Sequence, residues 1–271
     1  MKTLPVTLLV ITHNEAANIG RCLDSVPFAA EKVVVDSGSE DGTVALAQAH
    51  GARVVHQDWL GFGAQRNFAT TQASHDWILV LDADEYFLPD AAEDLARALE
   101  GLLDGPVAAA ELRRRTLYMG APMRWYRPMV GERMRRLYHR DRARWSDARV
   151  HESLRCEGPV AALDVTFEHL HNPTLAHKQL KVLRYAELKC RDWLERGRAP
   201  RPWMAPLVYA ASFAKEALLR LALLDGWRGL AVAHTAAAYA VYKRLRYYEM
   251  VRNPDSVEQA RAVLLRHGLD R

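Results

Sequence analysis

The sequence predicts an α/β protein in which a mixed, mostly parallel sheet is flanked by helices and followed by a C-terminal helical extension. Short apolar runs alternate with segments of helical spacing through the first hundred residues. One run, residues 77–81, is apolar without interruption, which is typical of a strand buried on both faces. From Leu175 onward the helical periodicity is almost continuous. We therefore expect an α/β domain over residues 1–172 and a helical region over residues 173–271.

Each element has a local signal: β-branched apolar runs for the strands, and apolar spacing of three or four for the helices. The predicted strands are residues 6–11, 32–35, 53–56 and 77–81. The predicted helices are residues 16–26, 44–50, 67–73, 175–196, 203–224, 230–252 and 256–267. Residues 225–229 contain two glycines and predict a short turn between two antiparallel helices.

Three polar loops, at residues 12–15, 36–43 and 82–85, follow predicted strands. Because ligands bind at the carboxyl ends of the strands in such sheets, we expect these loops to form the functional site. Asp82 and Asp84 are hard oxygen ligands that suit a divalent cation carrying phosphates. The second loop also fits a simple helix cap. The first loop has neither the Gly-rich dinucleotide fingerprint nor a Walker-type phosphate loop.

Composition narrows the class of protein. The chain has 271 residues, of which 49% are hydrophobic, so it can bury a substantial core. Its 3 cysteines are widely spaced, which fits a reducing cytosol better than a disulfide or zinc framework. The N-terminus does not resemble a signal peptide. The longest uncharged stretches, near 202–214 and 229–242, fall short of the roughly 20 apolar residues of a spanning helix. We therefore expect a cytoplasmic protein that is not inserted across a membrane.

Four motifs occur in order: Val-Ile-Thr-His-Asn-Glu (10–15), Val-Asp-Ser-Gly-Ser-Glu-Asp-Gly-Thr (35–43), Gln-Arg-Asn (65–67) and Leu-Asp-Ala-Asp-Glu (81–85). Together they resemble the successive motifs of family 2 glycosyltransferases, which have the GT-A (Rossmann-like) fold. The chain is most similar to the branch of bacterial lipopolysaccharide-core β-1,4-glucosyltransferases. That similarity continues through Val-His-Glu (150–152) and residues 224–230.

The resemblance implies a nucleotide-sugar site. The donor-binding residues that it implies are Thr12, His13, Asn14, Glu15, Asp36, Arg66 and Asp82. It also implies that Asp84, with Asp82, holds Mn²⁺ or Mg²⁺ as cofactor. Such a cation stabilises the negative charge that develops on a departing nucleoside diphosphate.

Transfer with inversion requires a base that takes the proton from the acceptor hydroxyl. The candidate carboxylates are Glu132, Asp147, Glu152 and Glu168. Glu152 is favoured because it lies in the motif that resembles the acceptor region, and Asp147 is the second choice. Neighbouring histidines have two interpretations, either functional or merely structural at a strand end: His151 as a partner of the base or the donor phosphate, and His169 or His171 as a third metal ligand.

Residues 111–155 are dense in arginine with interleaved aromatics, a surface that suits a phosphorylated saccharide. No nucleic-acid module is recognisable, so we expect no nucleic-acid partner. The C-terminal helices either pack on a core or contact the inner-membrane surface peripherally. The resulting hypothesis is an inverting transferase that moves a hexose from UDP-glucose to a lipopolysaccharide-core or similar glycolipid acceptor. Alternatives are another UDP-sugar with a polysaccharide or protein acceptor, and a non-catalytic binding module.

Overall fold

The computed structural model describes residues 2–126, 133–146, 153–170 and 173–266. The chain divides into two compact units. The first comprises Met1–Thr116 and Gly131–Leu170, and the second comprises Leu117–Val130 and His171–Arg271. The division of function between residues 1–172 and 173–271 stays a prediction.

The first unit is built on a mixed sheet. Its strands are β1 (Leu4–Thr12), β2 (Ala29–Asp36), β3 (Arg53–His56), β4 (Trp77–Asp82), β5 (Glu85–Tyr86), β6 (Ala109–Tyr118, which ends in the second unit), β8 (Arg133–His139), β9 (Ala143–Trp145), β10 (Leu154–Cys156) and β11 (Val160–His169), with β7 (Ala121–Pro122) in the second unit. Its helices are α1 (Ile19–Asp24), α2 (Thr43–Ala49), α3 (Phe62–Gln72) and α4 (Pro89–Leu102).

The strands follow the order β3-β2-β1-β4-β8-β6-β11-β5, and β7 pairs with the end of β6. The first four strands are parallel, and β8 joins them antiparallel to β4. Within the part of the chain that the structure describes, β9 and β10 form a separate antiparallel pair. The predicted α/β architecture, with a mixed sheet flanked by helices, is confirmed.

The centre of the sheet is buried on both faces. Residues 77–81 of β4 are buried, as their uninterrupted apolar pattern predicts. Leu79 and Leu81 pack in one apolar cluster, while Ile78 and Val80 pack in another. Alternate side chains of one strand therefore supply both cores, and the polar residues that follow the strand are held at a rigid edge.

One helix of the first unit begins earlier than predicted. We expect α3 to start at Asn67, but it begins at Phe62, directly after Gly61 with φ +96°. A positive φ favours glycine, so Gly61 fixes the start of the helix. Gln65 and Arg66 consequently lie inside the helix and project from it, instead of preceding it.

The described part of the second unit is mostly helical. Its helices are α5 (Leu175–Glu195), α6 (Ala205–Ala214), α7 (Gly226–Arg252) and α8 (Ser256–Arg266). Among the described residues, no helix combines the length and the apolar character needed to cross a membrane.

The turn predicted at 225–229 is wrong. Instead, α6 continues as a π-helical turn (Lys215–Leu219), and the chain then breaks before a 3₁₀ turn (Ala222–Asp225). Leu221 has φ +60° and Gly226 has φ +64°, so one residue of positive φ stands on each side of the 3₁₀ turn. Helix α7 therefore begins at Gly226, four residues before the predicted start at Leu230.

Candidate active site

The three polar loops meet at one edge of the sheet, as predicted. In the register of the parallel strands, Thr12 at the end of β1 pairs with Asp36 at the end of β2. On the other side of β1, Ile11 pairs with Asp82 at the end of β4. The carboxyl ends of three adjacent strands therefore deliver Thr12, Asp36 and Asp82 to the same rim.

Side chains connect the first loop to the second. The backbone N–H of Asn14 donates to Ser39 Oγ at 2.8 Å, and Asn14 Oδ1 accepts from the N–H of Glu40 at 2.8 Å. Glu15 N–H donates to Thr43 Oγ1 at 2.8 Å. Asn14 has φ 54°, a left-handed conformation that asparagine tolerates better than most residues. The two loops therefore form one hydrogen-bonded body.

Asp36 is buried and organises the second loop. Its Oδ2 accepts from the backbone N–H groups of Gly38 and Ser39, both at 2.9 Å, and its Oδ1 accepts from Ser39 Oγ. The hydroxyl of Thr12, the strand neighbour of Asp36, is also buried and has no hydrogen-bond partner among the described residues. A buried polar atom in this state fits a ligand that supplies the partner. Contact of Asp36 with a donor stays a prediction.

Asp82 is held between two arginines. Arg66 donates to Oδ1 at 2.8 Å, and Arg136 donates to Oδ2 at 2.9 Å. Desolvation by itself would raise the pKa of Asp82, but the two guanidinium charges hold it well below its usual range. The side chain is 34% exposed. Asp82 is therefore a permanently charged group in a fixed orientation at the rim.

Arg136 is a residue of the candidate site that sequence reasoning missed, because its side chain reaches Asp82 from a distant strand. It lies on β8, its side chain is 3% exposed, and it also pairs with Glu85, which is 1% exposed. Glu85 Oε2 in turn accepts from the backbone N–H of Asp82 at 3.1 Å. Burial raises the pKa of Glu85 to about 7, although Arg136 acts in the opposite direction. The arginine-rich sequence around position 136 gave no sign of which arginine would turn inward.

Asp84 lies beside a histidine of another strand. Asp84 Oδ2 is 3.5 Å from His169 Nε2, and the backbone C=O of Asp84 accepts from Leu170 N–H at 2.9 Å. The antiparallel pairing of β5 with β11 brings the two residues together, with Glu85 opposite His169.

The residues at the rim fit a cation that arrives with phosphates. Within the described ranges, no group of three or more His, Cys, Asp and Glu side chains is placed to hold a metal by itself. Mg²⁺ typically needs only one or two carboxylates when substrate phosphates and water complete its shell. Asp84 supplies one such carboxylate, and His169 lies beside it as a candidate nitrogen ligand for Mn²⁺. Asp82 suits direct ligation less well, because both of its oxygens already accept from arginines.

The Gln-Arg-Asn motif on α3 connects three segments of the chain. Gln65 Nε2 donates to Ser37 Oγ at 3.0 Å, in the second loop, and Arg66 holds Asp82. Asn67 makes two hydrogen bonds with the backbone of Trp145 at the end of β9, at 2.9 and 3.0 Å. Arg66 also lies 4.7 Å above the Trp145 ring. Successive side chains of a helix point in directions about 100° apart, so one motif can fix three neighbours.

Of the four predicted candidates for the base, only Glu168 lies among the described residues. Glu132, Asp147 and Glu152 lie outside the described residues, as do His151 and His171. Glu168 is described and is paired with Arg115, with Arg115 Nε 2.8 Å from Oε1. It is 3% exposed. The assignment of Glu152, with Asp147 as second choice, stays a prediction.

Many arginines between residues 111 and 155 bind the protein itself. Those of the following list contact carboxylates or backbone carbonyls of the first unit: Arg113, Arg115, Arg133, Arg135, Arg136, Arg140 and Arg142. These contacts join neighbouring strands and loops within the first unit. Because these arginines contact the protein itself, the arginine-rich composition of residues 111–155 is weaker evidence for an anion-binding surface than the sequence suggests.

Sequence comparison identifies the family. Residues 7–153, more than half of the chain, match the model described as glycosyl transferase family 2. The lipopolysaccharide core biosynthesis glycosyltransferase LpsC of Rhizobium meliloti is 31% identical over 265 residues, which cover 91% of this chain and 93% of that protein. The uncharacterized glycosyltransferase RP128 of Rickettsia prowazekii is 25% identical over 251 residues, 89% and 85% of the two chains.

Solved structures are more distant. Glucosyl-3-phosphoglycerate synthase from Mycobacterium tuberculosis, in complex with Mn²⁺, UDP and glucosyl-3-phosphoglycerate, has a TM-score of 0.42 at 18% identity over 64% of this chain and 73% of that chain. TarS of S. aureus has a TM-score of 0.44 at 15% identity over 92% and 55%. Similarity at this level assigns no ligand to this chain. The match over residues 7–153 and the nearly full-length similarity to LpsC show that the chain belongs to glycosyltransferase family 2, and that it is a glycosyltransferase of the GT-A fold.

Proposed function

We propose that this enzyme transfers a hexose, with UDP-glucose as the favoured donor, to a lipopolysaccharide-core or similar glycolipid. The observation that carries the proposal is the rim itself, where Asp84 and His169 lie next to an aspartate fixed by two arginines. The acceptor class is supported by LpsC, whose name places it in lipopolysaccharide core biosynthesis. Such an acceptor would be met at the cytoplasmic face of the inner membrane.

In this proposal the first two loops, with Thr12 and Asp36, receive the nucleoside, and Asp82 faces the ribose. Mn²⁺ or Mg²⁺ would be held by Asp84 and His169, and the cation would stabilise negative charge on the departing diphosphate. Arg66 and Arg136 keep Asp82 ionised and oriented, so it contributes a fixed charge and acceptor at the rim.

The transfer inverts the anomeric centre. A carboxylate, proposed as Glu152, takes the proton of the acceptor hydroxyl while its oxygen forms the new bond to the anomeric carbon. The bond from that carbon to the diphosphate oxygen breaks, and UDP leaves with its electron pair. A positioned base of this kind contributes roughly 10²- to 10⁴-fold to the rate. Glu152→Gln should lose a factor in this range while UDP binding is kept, and retained turnover would move the assignment to Asp147.

Calorimetric titration with UDP tests the donor site. Wild-type protein should bind UDP more tightly with Mn²⁺ than with a chelator, and Asp84→Ala should abolish that difference. Asp94→Ala is the matched control, because Asp94 is an exposed aspartate of α4 that pairs with Arg97 on the same helix. Equal UDP affinity with and without the metal in the wild type would refute the proposed role of the cation.

A donor panel then tests the sugar. UDP release should be fastest with UDP-glucose when a lipopolysaccharide-core acceptor is supplied. Turnover with a different UDP-sugar, or only with a polysaccharide or protein acceptor, would support the alternative substrates. Mass analysis of the lipid product identifies the position and number of added hexoses.

A further inference from the structure

The second unit exposes large apolar side chains where helical proteins usually expose small or polar ones. The residues concerned lie between positions 203 and 230, and we name them the leucine–tryptophan surface. They are Trp203, Leu207, Leu218, Leu219, Leu221, Leu223, Leu224, Trp227 and Leu230, each at least 41% exposed. Leu219 is 82% exposed. The segments that carry them extend from a 3₁₀ turn before α6 (Pro202–Met204) to the start of α7, and they pack against one another.

The burial pattern of this region is inverted. Ala217 and Ala222 are buried, whereas the leucines at 218, 219, 221 and 223 are exposed. The small residues allow close approach inside the unit. At Gly229 even a Cβ would lie 1.5 Å from the backbone oxygen of Ala222. Monomeric soluble proteins rarely expose large contiguous apolar patches, and those that occur mark interaction surfaces.

The backbone that carries the exposed leucines departs from a continuous helix. A π-helical turn and the left-handed Leu221 interrupt the helical path between α6 and α7. A bulky residue rarely adopts a positive φ, so the surrounding packing must hold it there.

Electrostatics indicate what covers this surface. Residues 196–248, all of them described, include nine basic residues but only two acidic ones, Glu216 and Asp225. Glu216 is buried, and accepts from Tyr126 Oη at 2.8 Å and from Arg220 at 2.7 Å. Asp225 accepts from the backbone N–H groups of residues 124–126 at 2.7 to 3.2 Å. Glu216 is therefore paired with Arg220, whereas Asp225 keeps its charge and is held by neutral backbone N–H groups, so the segment retains an excess of basic residues.

Of the three basic residues between positions 203 and 230, Arg220 is paired with Glu216, so Lys215 and Arg228 are the two that contribute positive charge beside the leucines. Lys215 is exposed, and the Arg228 guanidinium lies 4.9 Å above the Trp227 ring. An apolar surface with tryptophan and a basic margin is typical of proteins that lie in the interface of an anionic bilayer. Two copies of the same surface would instead bring like charges together.

We propose that the leucine–tryptophan surface docks on membranes that contain anionic phospholipids, with its leucines among the acyl chains and its basic residues at the headgroups. This inference deepens the proposed function in one respect, because it places the enzyme where a glycolipid acceptor would be found. Its physical basis is independent of the donor site.

Vesicle flotation with the whole 271-residue chain tests the proposal. Wild-type protein should float with vesicles of phosphatidylcholine and phosphatidylglycerol, less with phosphatidylcholine alone, and less at high salt, because salt screens the charges. Leu219→Glu should weaken partitioning into vesicles on the order of tenfold to a hundredfold. The variant lacks one leucine that the acyl chains would bury, and it gains a negative charge. Leu265→Glu on α8 is the control, since Leu265 is also exposed (56%) and lies outside the surface.

Further measurements separate the outcomes. Circular dichroism and UDP titration of Leu219→Glu should match the wild type, which excludes misfolding. Quenching of tryptophan fluorescence by brominated lipids should fall in the Trp203→Phe/Trp227→Phe variant. Equal flotation of Leu219→Glu and wild type would overturn the proposal, as would a wild-type dimer that Leu219→Glu dissociates without any vesicle binding. If the protein binds vesicles but does not bind UDP, only the proposed donor site is refuted, and the membrane proposal stands.

Discussion

Replacing Arg136 by methionine should strongly destabilise the sheet unit. The side chain is 3% exposed and pairs with Glu85, which is 1% exposed, so its removal leaves a buried carboxylate without its counter-charge. Breaking a buried ion pair in this way costs about 3–5 kcal/mol. Asp82 retains Arg66 at 2.8 Å, so most of the loss should come from Glu85.

The penalty should depend on pH in a defined direction. Burial already raises the pKa of Glu85 to about 7 from an ordinary value of 4.5, and loss of Arg136 raises it further. A carboxyl whose folded pKa is raised binds its proton more tightly in the folded state. Stability of the variant should therefore recover as pH falls through the raised folded pKa of Glu85, above 7, and the recovery should be complete near 4.5, the ordinary pKa in the unfolded chain.

Denaturant unfolding of wild type, Arg136→Met, Glu85→Gln and the double variant measures both effects. The free energy of unfolding of the double variant should fall by less than the sum of the two single losses, by about 1 kcal/mol or more. The reason is that removing both side chains leaves neither charge buried without its partner. Additive losses, or an Arg136→Met penalty that is the same at pH 5.5 and pH 8, would refute the assigned ion pair.

Three other substitutions test separate contacts. Partial burial acts to raise the pKa of Glu31, but hydrogen bonds from a backbone N–H and neighbouring side chains lower it to about 2. Glu31→Gln should therefore lower the free energy of unfolding at neutral pH by about 1–2 kcal/mol, after allowance for solvent exposure. Acid unfolding should show that the variant lacks the stability that the wild type loses between pH 4.5 and 2. Asn67→Ala removes both hydrogen bonds to the Trp145 backbone, ahead of the segment with the proposed base, and should lower kcat roughly tenfold to a hundredfold with unchanged UDP affinity in steady-state assays. Gly229→Ala places a methyl group on the backbone of Ala222 and should cost at least about 2 kcal/mol in thermal unfolding, whereas unchanged stability would contradict the close approach of α7 to the preceding turn.

Local patterns predicted the parallel half of the sheet well. The apolar run at residues 77–81 and the β-branched residues of the first strands predict burial directly, because apolar side chains at these positions are buried in the sheet. The meeting of three polar loops followed from strand topology alone. The resemblance of four short motifs to the family was also sufficient to identify it.

Long-range pairing was not predictable in this way. Arg136 lies 54 residues from Asp82 in the chain, and no spacing rule links a strand residue to a distant carboxylate. The break near Leu221 was missed for a different reason. Leucine favours helix, so only the tertiary structure explains a left-handed leucine there.

The paired arginines on Asp82 have a consequence for handling the enzyme. Carboxylates that cluster around a cation normally repel one another when the ion is stripped away, and the apo form then loosens. Here the guanidinium groups already supply positive charge to Asp82 from within the fold. On the proposed role of Asp84 in holding the cation, purification in EDTA should therefore yield an intact protein in which addition of manganese restores the tighter UDP binding.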